Sequence, residues 1–177
     1  HHRVKNNLQT VAALLRLQAR RTAAPEARLA LEESMRRVSS IAMVHETLST
    51  SIDETVAFGE IVDRLLSMLP ELTPHDARVT LRRHGEFGPL PAEVATSLVL
   101  VLTELVQNAL EHAYPAGSTG TVEITATRGD GPLEVRVRDD GVGLREGFSF
   151  EATDRLGLQI VRTLVTAELA GTVSLQP

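Results

Sequence analysis

Two segments at the start of the chain carry apolar residues at the spacing of a heptad repeat, and this pattern leaves few possible folds for the first fifty residues. In both segments the intervals alternate between three and four, which predicts two amphipathic helices. The residues are Val4, Leu8, Val11 and Leu15, then Leu31, Met35, Val38 and Ala42. Because proline is favoured at a helix start, we expect the first helix to end near Thr22 and the second to begin near Pro25. The sequence therefore predicts a helical hairpin.

A single hairpin leaves its apolar stripe exposed on one side. Two hairpins from two chains can bury both stripes in a four-helix bundle. We therefore expect a homodimer.

The composition restricts the class of protein and of chemistry. Hydrophobic residues make up 42% of the 177 residues and charged residues 23%, which is typical of a globular protein. The longest apolar run, 98–102, is far shorter than the ~18 residues that cross a bilayer, so we expect no membrane segment in this chain and a cytoplasmic location. The absence of Cys excludes thiol catalysis, and an aromatic content of 3% argues against direct nucleic-acid binding by base stacking.

The charge divides the chain in two. Up to Arg37 there are eight basic and three acidic residues, whereas the rest of the chain has ten Arg and twenty acidic residues. Such asymmetry indicates two units with different partners. Ser49-Thr50-Ser51 is the most linker-like stretch, so we expect a hairpin domain over 1–51 and a second domain over 52–177.

The second part has the mixed pattern of an α+β fold. Strand-like alternation occurs at 79–83, 122–126 and 133–137, and helical patterns cover 58–69, 91–112 and 156–169. We expect these helices to cover one face of a mixed sheet, and a last strand around Val173.

Three short motifs in this second part could hold a phosphorylated ligand. Glu104 and Asn108 are four residues apart, hence on one helix face, and their oxygens are ligands that Mg²⁺ prefers. Asp139-Asp140-Gly141-Val142-Gly143 leaves a strand and turns through two glycines, which allows a close backbone approach to a ligand. Gly157 opens the last helix, where free amides favour an anion.

The chain opens with His1-His2-Arg3-Val4-Lys5-Asn6-Asn7 on the first turns of the predicted hairpin. A neutral imidazole on an exposed helix face can attack a phosphorus atom. This opening resembles the His-Arg-x-Lys-Asn phosphoacceptor box of sensor histidine kinases, and the three later motifs resemble, in order, the N, G1 and G2 boxes of the GHKL-type ATP-binding domain. The resemblance covers nearly the whole chain and is greatest for the PdtaS-type group of actinobacteria.

The resemblance implies a fold and an activity. The fold is a hairpin that forms a dimeric four-helix bundle, followed by a GHKL-type α/β sandwich with a mixed sheet. The activity is ATP-dependent autophosphorylation of His2, with His1 as second choice, and then transfer to an Asp on the receiver domain of a response regulator. In this group the regulator can have an RNA-binding antitermination output.

The resemblance also implies residue roles. Asn108 would bind Mg²⁺, and Glu104 would act as a base or position water. Asp139 would accept a hydrogen bond from the adenine amino group, and Gly141 and Gly143 would shape the nucleotide pocket. Gly157 and Leu158 would offer amides to the phosphates.

Three departures from the family pattern leave alternatives open. Glu111 stands where many relatives have a lysine that contacts a phosphate. The adjacent His112 is the candidate to make this phosphate contact instead. Arg3 replaces an acidic residue, so the base for His2 is unassigned. We also expect the C-terminal strand of the domain to be missing after Pro177. The alternatives are an ATP-binding regulatory dimer and a GHKL ATPase that does not phosphorylate a histidine.

Overall fold

The computed structural model describes residues 2–49, 55–69, 78–153 and 155–176. Within the first range it describes side chains from Asn7 to Ala42, except at positions 33, 36 and 40. The predicted boundary near Ser51 and the side chains of His1 and His2 lie outside what is described.

The chain begins with the predicted hairpin. Helix α1 (His2–Arg21) and helix α2 (Pro25–Ser49) are joined by three residues, as the positions of Thr22 and Pro25 predict. A hydrogen bond of 3.4 Å from Arg16 Nε to Met35 Sδ links the two helices.

The single heptad stripe expected on α1 is in fact two faces. Leu8, Leu15 and the buried Ala19 lie on the more buried face, which packs on α2. Val11, by contrast, is 43% exposed and belongs with Leu14 (57%) and Leu17 (47%) to an outward apolar face. The spacing alone cannot distinguish these faces, because they are adjacent on the helix and residues three or four positions apart can belong to either face.

The second part is an α+β unit, as expected. A three-stranded mixed sheet contains β2 (Arg78–Gly85), β4 (Thr119–Thr127) and β5 (Glu134–Asp139) in the order β2-β4-β5. Strand β4 is parallel to β2, with Leu81 opposite Val122, and antiparallel to β5, with Ile124 opposite Val137. A separate antiparallel pair is formed by two short strands that were not predicted, β1 (Thr55–Ala57) and β3 (Pro89–Pro91).

Three helices belong to this unit. They are α3 (Phe58–Met68), α4 (Ala92–His112) and α5 (Leu156–Thr163), and α5 continues into a π-helical turn over Leu164–Glu168. The main core lies between α3, α4 and the sheet, and includes an edge-to-face pair of Phe58 and Phe87 with ring centroids 5.1 Å apart. A second core cluster joins α4 to α5 through Val101, Leu158 and Val161.

Helix α4 therefore packs on both sides. It is long and apolar enough to cross a membrane by length and composition, but 61% of its apolar window is buried inside the protein. A helix that is apolar around most of its circumference is expected when it is buried in a core.

The expected last strand around Val173 is wrong. Ala170 adopts a left-handed conformation (φ 47°) and the Gly171 amide donates to the Val165 carbonyl, which ends the helix. Residues 170–176 then have no strand partner in the part of the chain described. Val173 and Leu175 pack instead on the α4–α5 cluster, so their alternating pattern reflects contact with a helical layer.

Candidate functional site

The middle of α4 presents its polar side chains to a small pocket. The pocket is lined by Glu104, Gln107, Asn108 and Glu111, so Glu104 and Asn108 share a helix face as their spacing predicts. The Asn108 side-chain amide donates a 2.8 Å hydrogen bond to the Glu104 carbonyl oxygen. This contact fixes the amide, and its oxygen is then the atom that can meet a cation.

The Glu104 carboxylate is buried and paired with Arg37 of α2. Arg37 Nε lies 2.5 Å from Oε1 and Nη2 lies 3.1 Å from Oε2. The two side chains are 13% and 4% exposed, respectively. This is a bidentate, charge-assisted contact, the strongest type of side-chain hydrogen bonding between an arginine and a carboxylate. Arg37 was not predicted from the sequence because 67 positions separate the two residues, although a carboxylate on a buried helix indicates that a partner is needed.

Gly157 lies against the same carboxylate. It is the second residue of α5, and a Cβ placed there would overlap Glu104 Oε2. Gly157 and Leu158 are buried, and Arg155 at the N-cap makes no side-chain hydrogen bond that caps the helix. The structure thus brings together the beginning of α5, the Glu104 carboxylate and the Arg37 guanidinium.

The Asp139–Gly143 turn is hydrogen-bonded to the C-terminal end of α4. The Val142 amide donates to the Ala113 carbonyl at 3.0 Å, directly after the end of the helix. Gly141 is pressed against Ala113, where a Cβ would overlap the backbone, and Gly143 has a φ of +72°. Both glycines are therefore required by geometry, Gly141 for the close approach and Gly143 for its backbone conformation.

The two neighbouring carboxylates of this turn have different surroundings. Asp139 Oδ1 accepts a hydrogen bond from the Gly141 amide at 3.1 Å, within the turn. The Tyr114 hydroxyl lies 2.8 Å from the Thr121 carbonyl and 2.9 Å from Asp140 Oδ1, so its one proton is shared between them. Asp140 Oδ1 therefore accepts from the Thr121 amide at 2.7 Å and from this hydroxyl. These two hydrogen bonds, that of Thr121 first, lower the pKa of Asp140. Asp140 therefore ties the turn to β4 and to Tyr114, the second residue after α4, a role that was not predicted from the sequence.

Two arginines lie near His112 at the C-terminal end of α4. Partial loss of hydration lowers the pKa of His112, and the nearby charges of Arg155 and Arg145 act in the same direction, against Glu111. His112 is thus held in its neutral form at neutral pH and can offer a hydrogen bond rather than a charge. Arg145 and Arg155 are thus cations near His112, the residue that the sequence offered in place of the lysine.

The donor set suits a cation that keeps most of its own ligands. Among the described residues there is no group of three His, Asp or Glu side chains arranged to hold a metal ion. Mg²⁺ does not need such a cage, because it usually binds one or two protein oxygens together with phosphates and water. The Asn108 side-chain oxygen at the pocket fits this requirement.

Two family models match the chain. One, described as "Histidine kinase", matches residues 1–73, and the other, described as "Histidine kinase-like ATPase domain", matches residues 66–167.

Two curated relatives are similar along almost the whole chain. The chain is 56% identical over 177 residues to sensor histidine kinase PdtaS of Mycobacterium tuberculosis and 58% identical over 176 residues to PdtaS of Mycolicibacterium smegmatis. Each alignment covers 99% of this chain and 35% of the relative. The chain thus spans about a third of the length of these relatives.

A solved structure has the same fold. The histidine kinase domain of a blue-light-activated histidine kinase from Erythrobacter litoralis superposes with a TM-score of 0.68 at 23% identity. The match covers 91% of this chain and 84% of that domain.

The contact of Gly157 with Glu104 can be tested by adding a methyl group. Alanine is favoured over glycine in a helix interior by about 1 kcal/mol. We nevertheless expect Gly157→Ala to lower the free energy of unfolding by about 1–3 kcal/mol, because the new Cβ displaces a buried, paired carboxylate. Urea denaturation measures this, with Gly131→Ala, which has open space around its Cα, as the control. A more stable Gly157→Ala protein would contradict the close approach.

The attachment of Asp140 can be tested through its ionisation. We expect Tyr114→Phe to raise the pKa of Asp140 towards its ordinary value, because the variant loses one of the two donors that favour the carboxylate. A lowered pKa stabilises the fold above the unfolded-state pKa, and this contribution is lost as the pH falls through the folded-state pKa. The loss in stability of Tyr114→Phe should therefore shrink at acid pH, and the part that remains reflects the contact of the hydroxyl with the Thr121 carbonyl.

NMR titration of the Asp140 carboxyl measures the shift directly. The double variant Tyr114→Phe/Asp140→Asn provides the control, since the two losses should be less than additive if the groups are partners. An unchanged Asp140 pKa in Tyr114→Phe would show that the hydroxyl does not act on this carboxylate.

Proposed function

The chain belongs to the family of histidine kinase-like ATPase domains, and we propose that it is the kinase core of a two-component sensor histidine kinase. In this proposal an imidazole nitrogen of His2 attacks the γ-phosphorus of ATP, ADP leaves, and the phosphoryl group passes on to an Asp of a response regulator. The hairpin carries the acceptor, and the α+β unit binds the nucleotide.

The observation that carries the proposal is the position of α4. The helix presents Glu104 and Asn108 to one pocket, the beginning of α5 lies against Glu104, and the Asp139 turn is bonded to Ala113 just after the helix. Three motifs separated in sequence are therefore held by one rigid element, which is what a site for an elongated, phosphorylated ligand requires.

Each motif then has a part in nucleotide binding. Asp139, with Gly141 and Gly143 shaping the turn beside it, accepts a hydrogen bond from the adenine amino group. The amides of Gly157 and Leu158 at the start of α5 bind phosphate oxygens, which a helix N-terminus favours. Arg145 and Arg155 lie close enough to His112 to affect its pKa and supply positive charge on this side, and Glu111 lines the pocket.

Magnesium belongs to the same proposal. The Asn108 side-chain oxygen would hold the ion together with the nucleotide phosphates. A bound Mg²⁺ would supply neutralisation of the phosphate charge. Glu104, four residues earlier, acts as the base or positions water in the transfer step.

The outward apolar face of α1 supports the proposed homodimer. Val11, Leu14 and Leu17 are about half exposed and lie beside the face that packs on α2. In a four-helix bundle each helix packs against two neighbours, so a second apolar face is what α1 needs to meet another hairpin. A second copy of this chain is therefore the proposed occupant.

The proposal has three further parts, which concern the domain boundary, the location and the partner. The hairpin domain is proposed to end near Ser51, and the protein to act in the cytoplasm. The proposed partner is a response regulator, with an antitermination output suggested by the resemblance to the PdtaS-type group.

The kinase proposal is tested by incorporation of phosphate from γ-labelled ATP in the presence of Mg²⁺. We expect acid-labile label that is lost in His2→Gln and retained in His1→Gln. Asn108→Asp should lower incorporation about 100-fold, because it removes the donor to the Glu104 carbonyl and adds a charge to a pocket with two carboxylates.

Two other results would favour the alternatives. ATP binding without any incorporated label would indicate a regulatory nucleotide-binding dimer. The pairing of the Glu104 carboxylate with Arg37 favours this alternative, because a paired carboxylate is not free to act as a base. Label that survives acid, or ATP hydrolysis alone, would indicate a different phosphotransferase or an ATPase.

The dimer face is tested by placing a charge on it. We expect Leu14→Glu to raise the dimer dissociation constant more than about tenfold, because burial of a leucine side chain contributes about 1.5–3 kcal/mol. Gln9→Glu adds the same charge at another exposed position of α1 and should leave the dissociation constant nearly unchanged. Sedimentation velocity measures both, and equal dissociation constants for the two variants would contradict this face.

A further inference from the structure

The contact between Arg37 and Glu104 joins the two functional parts of the chain. Arg37 belongs to the hairpin and Glu104 to the wall of the proposed ATP pocket, and both oxygens of the carboxylate are engaged. The pair is almost completely buried, and Gly157 closes it from the side of α5. The hairpin therefore holds the side chain to which the transfer step is assigned.

The position of this contact along the hairpin can be derived from the helix register. The short loop places residue 25 of α2 beside residue 21 of α1, and the hydrogen bond between the long side chains of Arg16 and Met35 links residue 35 to residue 16. In an antiparallel hairpin these two links put residue 37 level with a position between about 9 and about 14 of α1. Residue 2 lies about seven to twelve residues further along α1, which corresponds to about 10–18 Å at about 1.5 Å per residue.

This separation is too large for a direct reaction. Reacting atoms must approach to about 3–3.5 Å, and a glutamate side chain extends only a few ångströms from its backbone. In a parallel dimer of hairpins the partner's acceptor lies at the same level, so the same separation applies to transfer within a chain and between chains. While Arg37 and Glu104 are paired, the ATP pocket is therefore held too far along the hairpin from residue 2 for phosphoryl transfer.

We propose that the Arg37–Glu104 pair is an autoinhibitory latch that holds the ATP-binding unit on α2, away from the phosphoacceptor. The inhibitory part rests on the proposed kinase function, whereas the latch itself rests on the contact alone. Opening the latch frees the Glu104 carboxylate and lets the ATP-binding unit move along the hairpin towards residue 2.

The physical chemistry of a buried ion pair suits such a device. The attraction between the two groups is largely offset by the cost of removing them from water, so the closed pair contributes little net stability. Loss of one partner leaves a buried, unpaired charge, which is strongly unfavourable. Removing Arg37 therefore drives Glu104 into water and opens the contact.

The test combines a distance measurement with a rate. Because the chain has no cysteine, Gln9→Cys and Thr127→Cys, both at exposed positions, place one spin label on α1 and one on β4. Labelled chains are mixed with excess unlabelled chains, and pulsed electron spectroscopy gives the distance distribution. The initial rate of phosphate incorporation from γ-labelled ATP is measured on the unlabelled proteins.

The variants are Arg37→Gln and a matched control, Arg28→Gln. Arg28 is also on α2 and also pairs with a glutamate, but its contact with Glu32 is exposed, at 3.9 Å, and lies within the helix. We expect Arg37→Gln to broaden and shift the distance distribution and to raise the initial rate about fivefold or more. Arg28→Gln should change neither quantity.

Each other outcome has a distinct meaning. An unchanged distance distribution in Arg37→Gln would overturn the latch. A changed distribution with a lower rate would overturn its inhibitory role and make Arg37 a residue that positions Glu104 for transfer. A changed distribution with no phosphorylation in either protein would leave the latch in place and refute the kinase proposal instead.

Discussion

Burial of α4 on both sides is the constraint on which the rest of the structure depends. The helix packs on α3 and the sheet with one face and on α5 with another. A polar group on such a helix must find a partner or face a pocket. Thr103 bonds to the carbonyl one turn earlier, Asn108 lines the pocket, and the Glu104 carboxylate meets a guanidinium from a distant helix. The site is thus a consequence of how this helix satisfies its polar groups.

The same constraint separates the roles of neighbouring residues. Asp140 is bonded to Tyr114 and Thr121 and holds the turn in place, while the adjacent Asp139 bonds within the turn and is the carboxylate proposed to meet the ligand. Rigid anchoring of one residue positions the other, because the two share a backbone that is also bonded to Ala113 after α4. Preorganisation of this kind reduces the entropy that is lost when a ligand binds.

Most of the secondary structure could be predicted from the sequence, and the exceptions have physical reasons. Pro25 and the heptad spacing located the hairpin, and alternation located β2, β4 and β5. Strands β1 and β3, of three residues each, are too short to produce a periodic signal. The alternation around Val173 was misread as a strand because a segment lying on an apolar helical layer shows the same pattern. Arg37 could not be identified as a site residue, since nothing in one arginine of an amphipathic helix indicates a partner 67 positions away.

The sequence by itself determined the elements, the order of the motifs and the spacing that puts Glu104 and Asn108 on one face, because these depend on local periodicity and backbone chemistry. Only the tertiary structure decided which carboxylate anchors the turn, which apolar face of α1 remains outside the hairpin, and what pairs with Glu104. These outcomes depend on burial and on contacts between distant segments, and the free energy of a buried charge is set by neighbours that local sequence does not specify.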